Sequence, residues 1–401
     1  MTASVLLLAG LPYGGNTYDW IKHWAILDLL TNASWPVSVD AQSHTYWLRY
    51  YIAGYLPAAL TSAWLPWIPA AVSLTVWLGL GLFLLFQSLH AMTDGRARNG
   101  LLLAGGVLLA SGLDFFLASN PIGHTTEWAT SRALDLPLQL SSPLTQLVWT
   151  PQQAIAGMLV ALLIGFDRAP GYQARIIAAL CLLLLWSPFA LLGLVPAAVW
   201  VVVRAHPWRE CPKTVLSVLP IVAMGLVSIA YLSSSSAAAK PYDFEMAIPR
   251  LLQLPRYLLA FLIELGPLLI LLGRDSLRTP MAVISLITLL GLALITGSKG
   301  DLIMRGSIGP VFLLAVMGMR RWLERPPGTR RRWARVAITA MLITSGNEVL
   351  YLLTKNYATP NVCDFQHGIF ERHFRLADLE SACGSWVLPQ YLAEQKPAVL
   401  R

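Results

Sequence analysis

The sequence predicts an all-α membrane protein with about ten or eleven transmembrane helices. Of its 401 residues, 56% are hydrophobic and only 12% are charged, whereas about a quarter of the residues in soluble domains are charged. About nine or ten apolar stretches approach the ~20 residues that a spanning helix needs. Arginine-rich loops separate these stretches, which is typical of proteins that cross a membrane repeatedly.

The basic loops predict which side of the membrane each connection faces. Five of them hold 16 of the 29 Lys and Arg residues but only five of the 21 acids; they are residues 91–99, 167–175, 204–213, 274–279 and 320–335. Basic loops remain in the cytoplasm, so the other connections and the tail, with 14 acids, are expected outside. The net charge of +8 is matched by anionic lipid headgroups, and nucleic acid is not an expected partner.

The chain is divided into a transmembrane domain, residues 1–353, and a small outer-face tail, residues 354–401. The tail contains Cys363 and Cys383, which we expect to form a disulfide because the outer side is oxidising. Cys181 and Cys211 are expected to be free thiols. At the start, only residues 3–11 are apolar, which is too short to span and predicts a truncated first helix.

Residues 176–203 begin and end near cytoplasmic arginines, which a single crossing cannot do. We therefore predict a pair of helices that enters the membrane and returns. The break is expected at Trp186-Ser187-Pro188, because proline cannot donate to the helix ladder and serine can satisfy a freed backbone group. Such a pair is expected to line a cavity.

Residues 18–30 predict an amphipathic helix on the outer surface, with tryptophans on its apolar side. Asp19, Lys22 and His23 occupy the other side, and their spacings of three and four place them on adjacent turns. A carboxylate, an ammonium and an imidazole in this arrangement can bind a metal or a phosphate, or transfer a proton. The alternative is the solvated face of an interfacial helix.

This helix directly follows the first membrane segment and precedes the aromatic run Tyr46-Trp47-Leu48-Arg49-Tyr50-Tyr51. In this order of elements the chain resembles the GT-C superfamily of polytopic glycosyltransferases. The resemblance implies a polyprenyl-phosphate-linked sugar donor and a lipid or glycan acceptor. It also implies an integral protein of the bacterial inner membrane whose active face points outward. Asp19 matches the position of the superfamily's catalytic acid, and we expect it to be the general base.

The leaving lipid phosphate requires a cation or a metal, and Lys22, Lys299 and Arg305 are the candidates. The last two belong to a glycine-flanked connection, residues 297–306, which also contains Asp301. We interpret this connection as a phosphate-facing loop. A hydrated hairpin with Arg305 reaching to the headgroups is the alternative.

The connection 119–149 contains His124 and Glu127, which are three positions apart. Together with Asp19 they are candidate ligands of a divalent metal such as Mn²⁺ or Mg²⁺. The alternative is that both side chains bind only water.

Further polar residues lie at helix ends or inside the apolar stretches. Gln152 and Gln153 follow a helix-starting proline and either bind a sugar or cap the helix. Asp114 is expected near the outer end of its helix, at the border of the same cavity. Glu264 and Glu348 lie within membrane segments, where acids face a cavity or a partner.

Two other function classes remain open. The intramembrane acids also fit a secondary transporter or flippase for lipid-linked or small polar substrates, and a non-catalytic subunit of a polysaccharide assembly system is a third possibility. The sequence contains no nucleotide-binding glycine loop of the P-loop or dinucleotide type. An enzyme of this kind therefore requires a donor that is already activated.

Overall fold

The computed structural model describes residues 1–11, 19–41, 44–93, 95–118, 128–204, 211–233, 243–297, 300–324, 329–358 and 392–393. This part of the chain is predominantly helical, which confirms the all-α part of the predicted fold class. In chain order the helices are α1 (Thr2–Leu8), α2 (Asp19–Asn32), α3 (Leu56–Trp64), α4 (Ala70–Ala91), α5 (Ala97–Leu108), α6 (Ala129–Leu134), α7 (Pro143–Trp149), α8 (Pro151–Phe166), α9 (Tyr172–Trp186), α10 (Pro188–Arg204), α11 (Cys211–Ser233), α12 (Ala247–Leu252), α13 (Leu254–Leu277), α14 (Pro280–Ile295), α15 (Asp301–Gly306), α16 (Ile308–Glu324) and α17 (Thr329–Ala358). A small antiparallel sheet has the order β1 (Ser38–Ala41), β2 (His44–Leu48) and β3 (Leu392–Ala393).

Within the described residues, three helices are long and apolar enough to cross a membrane: α4, α13 and, in α17, Arg332–Thr354. Five further apolar stretches have between 10 and 17 residues, and they lie in α8, α9, α10, α11 and α14. Three long helices are fewer than the ten or eleven spans expected. Pro188, in the first turn of α10, contributes to this difference because it limits α9 to 15 residues.

The broken helix pair is confirmed. Helix α9 ends at Trp186 and α10 begins at Pro188, so that Ser187 alone lies between them. Tyr172, at the start of α9, and Arg204, at the end of α10, line one cavity. The second helix therefore returns to the side from which the first one started.

Residues 100–118 form less helix than the sequence predicts. Helix α5 covers only the first part, and the backbone unwinds before a short 3-10 helix that begins at Asp114. The hydroxyl of Thr344 in α17 donates to the carbonyl of Gly112 at 2.9 Å. This side chain supplies a partner that the lost helix ladder no longer provides.

Helix α2 is confirmed, but its expected position on the surface is wrong. Trp20, Lys22 and His23 are all buried, at 1%, 8% and 0% exposure, and the helix packs against α3 and α4. Because it is enclosed on more than one side, its polar residues do not form a solvated face. The alternative of an interfacial helix is thereby excluded for Lys22 and His23.

Helix α16 lies at the centre of the packing, in contact with α5, α8, α10, α13 and α14. Every residue from Ile308 to Val316 is buried, as expected for a helix that is apolar all round. Immediately before it, α15 approaches α10 so closely that a Cβ atom on Gly193 would lie 1.9 Å from the carbonyl oxygen of Gly306. This contact brings Arg305 to the start of α10.

Candidate functional site

Polar side chains from five parts of the chain meet around the start of α8. We call His23, Tyr55, Trp149 and Gln152 the His23 network, and Tyr51, Gln153, Phe189 and Arg305 the Arg305 network. Lys22 and His23 come from α2, the tyrosines from the segment before α3, and the glutamines from the first turn of α8. Phe189 and Arg305 come from α10 and α15. The structure thus brings together four residues that the sequence predicts, His23, Gln152, Gln153 and Arg305, and buries Lys22 beside His23 in α2.

The hydrogen bonds around His23 indicate which nitrogen carries the hydrogen when the imidazole is neutral. Nε2 lies 3.1 Å from the carbonyl oxygen of Trp149, which can only accept, so Nε2 carries the hydrogen. Nδ1 then accepts from the hydroxyl of Tyr55 at 2.6 Å, and Gln152 donates to the same hydroxyl at 2.9 Å. A chain of hydrogen bonds runs from Gln152 through Tyr55 and His23 to Trp149. His23 therefore anchors α2 to the start of α8.

In the Arg305 network, a buried guanidinium contacts a tyrosine hydroxyl and an aromatic ring. Arg305 is 8% exposed and donates through Nη1 to the hydroxyl of Tyr51, which also accepts from Gln153 at 3.1 Å. The guanidinium carbon lies 5.8 Å from the centre of the Phe189 ring. Asp301 is its carboxylate neighbour, at a longer distance of 3.7 Å.

Asp301 and Arg305 belong to a short helix, α15, and not to an open loop. Asp301 is its first residue, with a side chain that is 43% exposed, and Arg305 lies one turn later. The expectation of a phosphate-facing loop is therefore corrected: the arginine is presented by a helical turn. The alternative, a hydrated hairpin with Arg305 reaching to headgroups, does not fit the burial of its guanidinium.

Three buried polar atoms beside these networks have no hydrogen-bond partner among the described residues: Oε1 of Gln153, Oγ of Ser187 and Nε1 of Trp186. Trp186 and Gln152 both pack against Gly54. A Cβ atom added to this glycine would lie 3.0 Å from Trp186 Nε1 and 2.8 Å from Gln152 Cβ. An unsatisfied buried polar atom costs about 1–3 kcal/mol. One acceptor, one hydroxyl and one donor of this kind suit the hydroxyl groups of a ligand.

The region is rich in buried positive charge. Lys22, Arg49 and Arg305 are 8%, 3% and 8% exposed. Arg49 lies with its guanidinium carbon 5.8 Å from the ring centre of Tyr231. The rings of Tyr50 and Tyr51, which are tilted by 31° and have centres 3.7 Å apart, lie between Arg49 and the Arg305 network along the chain. Burial strengthens the attraction of such charges for an anion.

Besides Tyr55 and Phe189, the sequence analysis missed two residues that support the site, Trp149 and Gln146. Trp149 accepts from His23 through its carbonyl and donates its indole N–H to Glu348 of α17 at 3.2 Å. Gln146 in α7 donates to the carbonyl of Met304 at 2.8 Å, which ties α7 to α15. The helix-starting proline after Trp149 marked this region in the sequence, but the partners of the two side chains lie far away along the chain.

Asp114 belongs to a different cluster. Its carboxyl group accepts from the hydroxyl and the backbone amide of Thr130. Glu264 lies nearby, because the backbone of residues 112–113 packs directly against residues 263–264 of α13. Asp114 and Glu264 are each 2% exposed. The expectation that Asp114 borders the same cavity as Lys22 and His23 is thus not met by its contacts, which are with α6 and α13.

Several predicted site residues lie outside the described part of the chain. They are Lys299, His124, Glu127, Cys363 and Cys383. Asp19 is described as the first residue of α2, one turn before His23, but only through its backbone. Within the described ranges, no group of three or more His, Cys, Asp or Glu side chains is arranged to hold a metal ion.

Replacing Tyr55 by phenylalanine should lower the free energy of unfolding by about 1–3 kcal/mol, because His23 Nδ1 loses its shortest hydrogen bond in a buried position. Thermal unfolding of the purified protein in detergent measures the change. Tyr172→Phe is the control, since Tyr172 lies at the opposite end of α9 and keeps its ring beside Arg168; it should change stability by less than about 0.5 kcal/mol. Equal stability of the two variants would contradict a supporting role for the Tyr55 hydroxyl.

Comparisons with models of protein families, with curated proteins and with solved structures found no match to this chain.

Proposed function

We propose that this chain is a polytopic glycosyltransferase of the GT-C type, which moves a sugar from a polyprenyl-phosphate donor to a lipid or glycan acceptor. The observation that carries the proposal is the Arg305 network, where a buried guanidinium meets the hydroxyl of Tyr51 beside the amide of Gln153. Guanidinium groups bind phosphate strongly, while hydroxyl and amide groups suit sugar hydroxyls. One small region therefore offers partners for both halves of the donor.

In the proposed reaction Asp19 is the general base. Its carboxylate takes the proton of the acceptor hydroxyl while that oxygen forms a bond to the anomeric carbon. The bond between the anomeric carbon and the phosphate oxygen breaks, and its electron pair leaves with the lipid phosphate. Arg305 and Lys22 stabilise the growing negative charge. Lys299 and Asp301 precede Arg305 by six and four positions in the sequence.

The buried polar atoms of Gln153, Ser187 and Trp186 are assigned to the sugar. Each lies without a hydrogen-bond partner in the described part of the structure. A hydrogen bond with a sugar hydroxyl would remove the free-energy cost of leaving that atom unsatisfied. The His23 network contributes indirectly. Asp19 and His23 are four positions apart in α2 and share a face, so the anchoring of His23 also fixes the turn that carries Asp19.

We infer that this site faces the outer side of a bacterial inner membrane. Gln152 and Gln153 lie at the start of α8, whereas Phe166 and Arg168, at its other end, line a cavity on the arginine-rich side. A helix of 16 residues is about 24 Å long, so the site and the arginines are separated by most of a bilayer core. Because arginine-rich ends remain in the cytoplasm, the site points outward.

The direct test is transfer of radiolabelled sugar from a panel of polyprenyl-phosphate sugars by the purified full chain in lipid. Transfer from at least one donor, at a rate that depends on protein concentration, is expected. A folded protein that transfers nothing from any donor of the panel would refute the proposed reaction class.

A secondary transporter or flippase is the second candidate, and the contact between Asp114 and Glu264 favours it. Both acids are buried, and buried acidic residues at membrane depth mark proton pathways in transporters.

Replacing Glu264 by glutamine separates the two candidates. Under the glycosyltransferase proposal the variant should keep sugar transfer within about threefold of the wild type, because Glu264 contacts Asp114 and not the Arg305 network. Under the transporter alternative, proton-coupled uptake into vesicles should be lost. Initial rates of both assays, normalised to folded protein, decide between them.

A further inference from the structure

A cavity lined by arginines and apolar side chains lies at the opposite end of α8 from the candidate site. Its volume is about 340 Å³, within the range of small-molecule sites. It is formed where α8 and α10 end and where α9 and α14 begin, with α16 at the back. The lining residues are Gly165, Phe166, Arg168, Tyr172, Trp200, Val201, Arg204, Thr279, Pro280, Met281 and Met317.

The charge of this cavity is positive. Arg168 and Arg204 are among the lining residues, and none of the lining residues is acidic. The starts of α9 and α14 place two positive helix-dipole ends here, but the ends of α8 and α10 place two negative ends beside them, so the net positive charge comes from the arginines. Arg168 also donates to the carbonyls of Ile164 and Gly165 at the end of α8, so Arg204 is the arginine with more freedom to bind a ligand.

Aromatic rings hold the arginines in place. The guanidinium carbon of Arg204 lies 4.7 Å from the ring centre of Trp200, and that of Arg168 lies 5.9 Å from the ring centre of Tyr172. A guanidinium that rests on a ring keeps its N–H edge available for hydrogen bonds. Pairs of this kind bind a phosphate at low entropic cost, because the arginine is already oriented.

The nearby acid does not neutralise this charge. Asp167 precedes Arg168 and is bound by Arg175, with N–O distances of 2.7 and 2.8 Å. Although partial burial by itself raises the pKa of Asp167, the hydrogen bonds from the Ala169 amide and from Arg175, together with the charges of Arg175 and Arg168, outweigh it and lower the pKa below its usual value. Asp167 therefore forms its side-chain ion pair with Arg175 and acts on Arg168 through its charge, whereas Arg204 is not among its partners.

The remaining lining is apolar, and so are the outer surfaces of the helices that form it. Val201, Met281 and Met317 line the cavity. Beyond it, α10 exposes Val199 and Val203 at 53% and 55%, and α14 also exposes apolar side chains to the surroundings. An inorganic anion would leave this apolar surface unused, whereas a phosphate that carries acyl chains matches both halves.

We propose that this cavity binds the phosphate of an anionic phospholipid, with the headgroup at Arg204 and Arg168 and the acyl chains along α10 and α14. This site is separate from the glycosyl-transfer site and does not depend on its function. Basic pockets between transmembrane helices on the cytoplasmic side commonly bind anionic headgroups.

The experiment uses the full chain in phosphatidylcholine nanodiscs to which dioleoyl phosphatidylglycerol is added in steps. Thermal unfolding is followed, and bound lipid is identified by native mass spectrometry. Phosphatidylglycerol should raise the unfolding temperature in a saturable way, and inorganic phosphate should not. Arg204→Gln should raise the half-saturating phosphatidylglycerol concentration about tenfold, which corresponds to the loss of one charge-assisted hydrogen bond.

Two further variants keep the test decisive. Trp200→Leu, which removes the ring beneath Arg204 and preserves the apolar surface, should also weaken lipid binding. Arg98→Gln is the matched control, since Arg98 is an exposed arginine in the first turn of α5 and does not line the cavity; it should bind lipid like the wild type. Equal weakening by Arg98→Gln, an equal response to inorganic phosphate, or no saturable response to phosphatidylglycerol would each overturn the proposal.

Discussion

Replacing Asp19 by asparagine should lower the turnover number for sugar transfer by about a hundredfold to ten-thousandfold, the range that a general base contributes. The amide has nearly the same size as the carboxylate but cannot take a proton from the acceptor hydroxyl. Donor binding should be retained, because the phosphate is assigned to Arg305 and Lys22. Initial rates over a series of donor concentrations, with the variant and the wild type in the same lipid, measure the change in both parameters.

Asp28→Asn is the matched control for this prediction. Asp28 lies in the same helix and accepts from the side chain of Asn32 at 2.7 Å, a bond that an amide oxygen can also make. This variant should retain transfer within about twofold of the wild type. If Asp19→Asn and Asp28→Asn were equally active, Asp19 would not be the base, although the reaction class itself would stand.

The parts of the fold that were predictable depend on local chemistry. The break at Ser187 follows from the proline at position 188, which cannot donate to the ladder of the preceding helix. Pro196 and Pro267, by contrast, lie inside α10 and α13. The start of α8 at Pro151 follows from the same residue type in a first helical turn. In each case the residue that determines the structure lies within a few positions of its effect.

The parts that were not predictable depend on contacts between distant segments. Tyr51 and Arg305 are 254 positions apart, and no local pattern indicates that they meet. Lys22 and His23 were expected on one side of a surface helix, and the structure buries both. A helix with tryptophans on one face and polar groups on the other has the same sequence pattern whether its polar face meets water or other polar side chains of the protein.

Replacing Arg305 by glutamine should raise the KM for the polyprenyl-phosphate donor about tenfold to a hundredfold. A charge-assisted hydrogen bond is worth about 1.5–3 kcal/mol, and each 1.4 kcal/mol changes affinity about tenfold. The donor KM of Arg305→Lys should lie between those of Arg305→Gln and the wild type, because lysine keeps the charge and loses the planar pair of donors. The KM for the acceptor should change much less, since the proposed contact is with the leaving phosphate.

Arg250→Gln distinguishes ligand binding from structural support. Arg250 is also buried, at 6% exposure, but it donates to the backbone carbonyls of Leu294 and Thr296 at the end of α14. Its loss should therefore lower the unfolding temperature and leave the donor KM of the remaining folded protein nearly unchanged. Arg305→Gln should show the opposite balance, with a large effect on KM and a smaller one on unfolding. If Arg305→Gln behaved like Arg250→Gln, the guanidinium would be a structural brace between α15 and Tyr51, and the phosphate would have to be bound elsewhere.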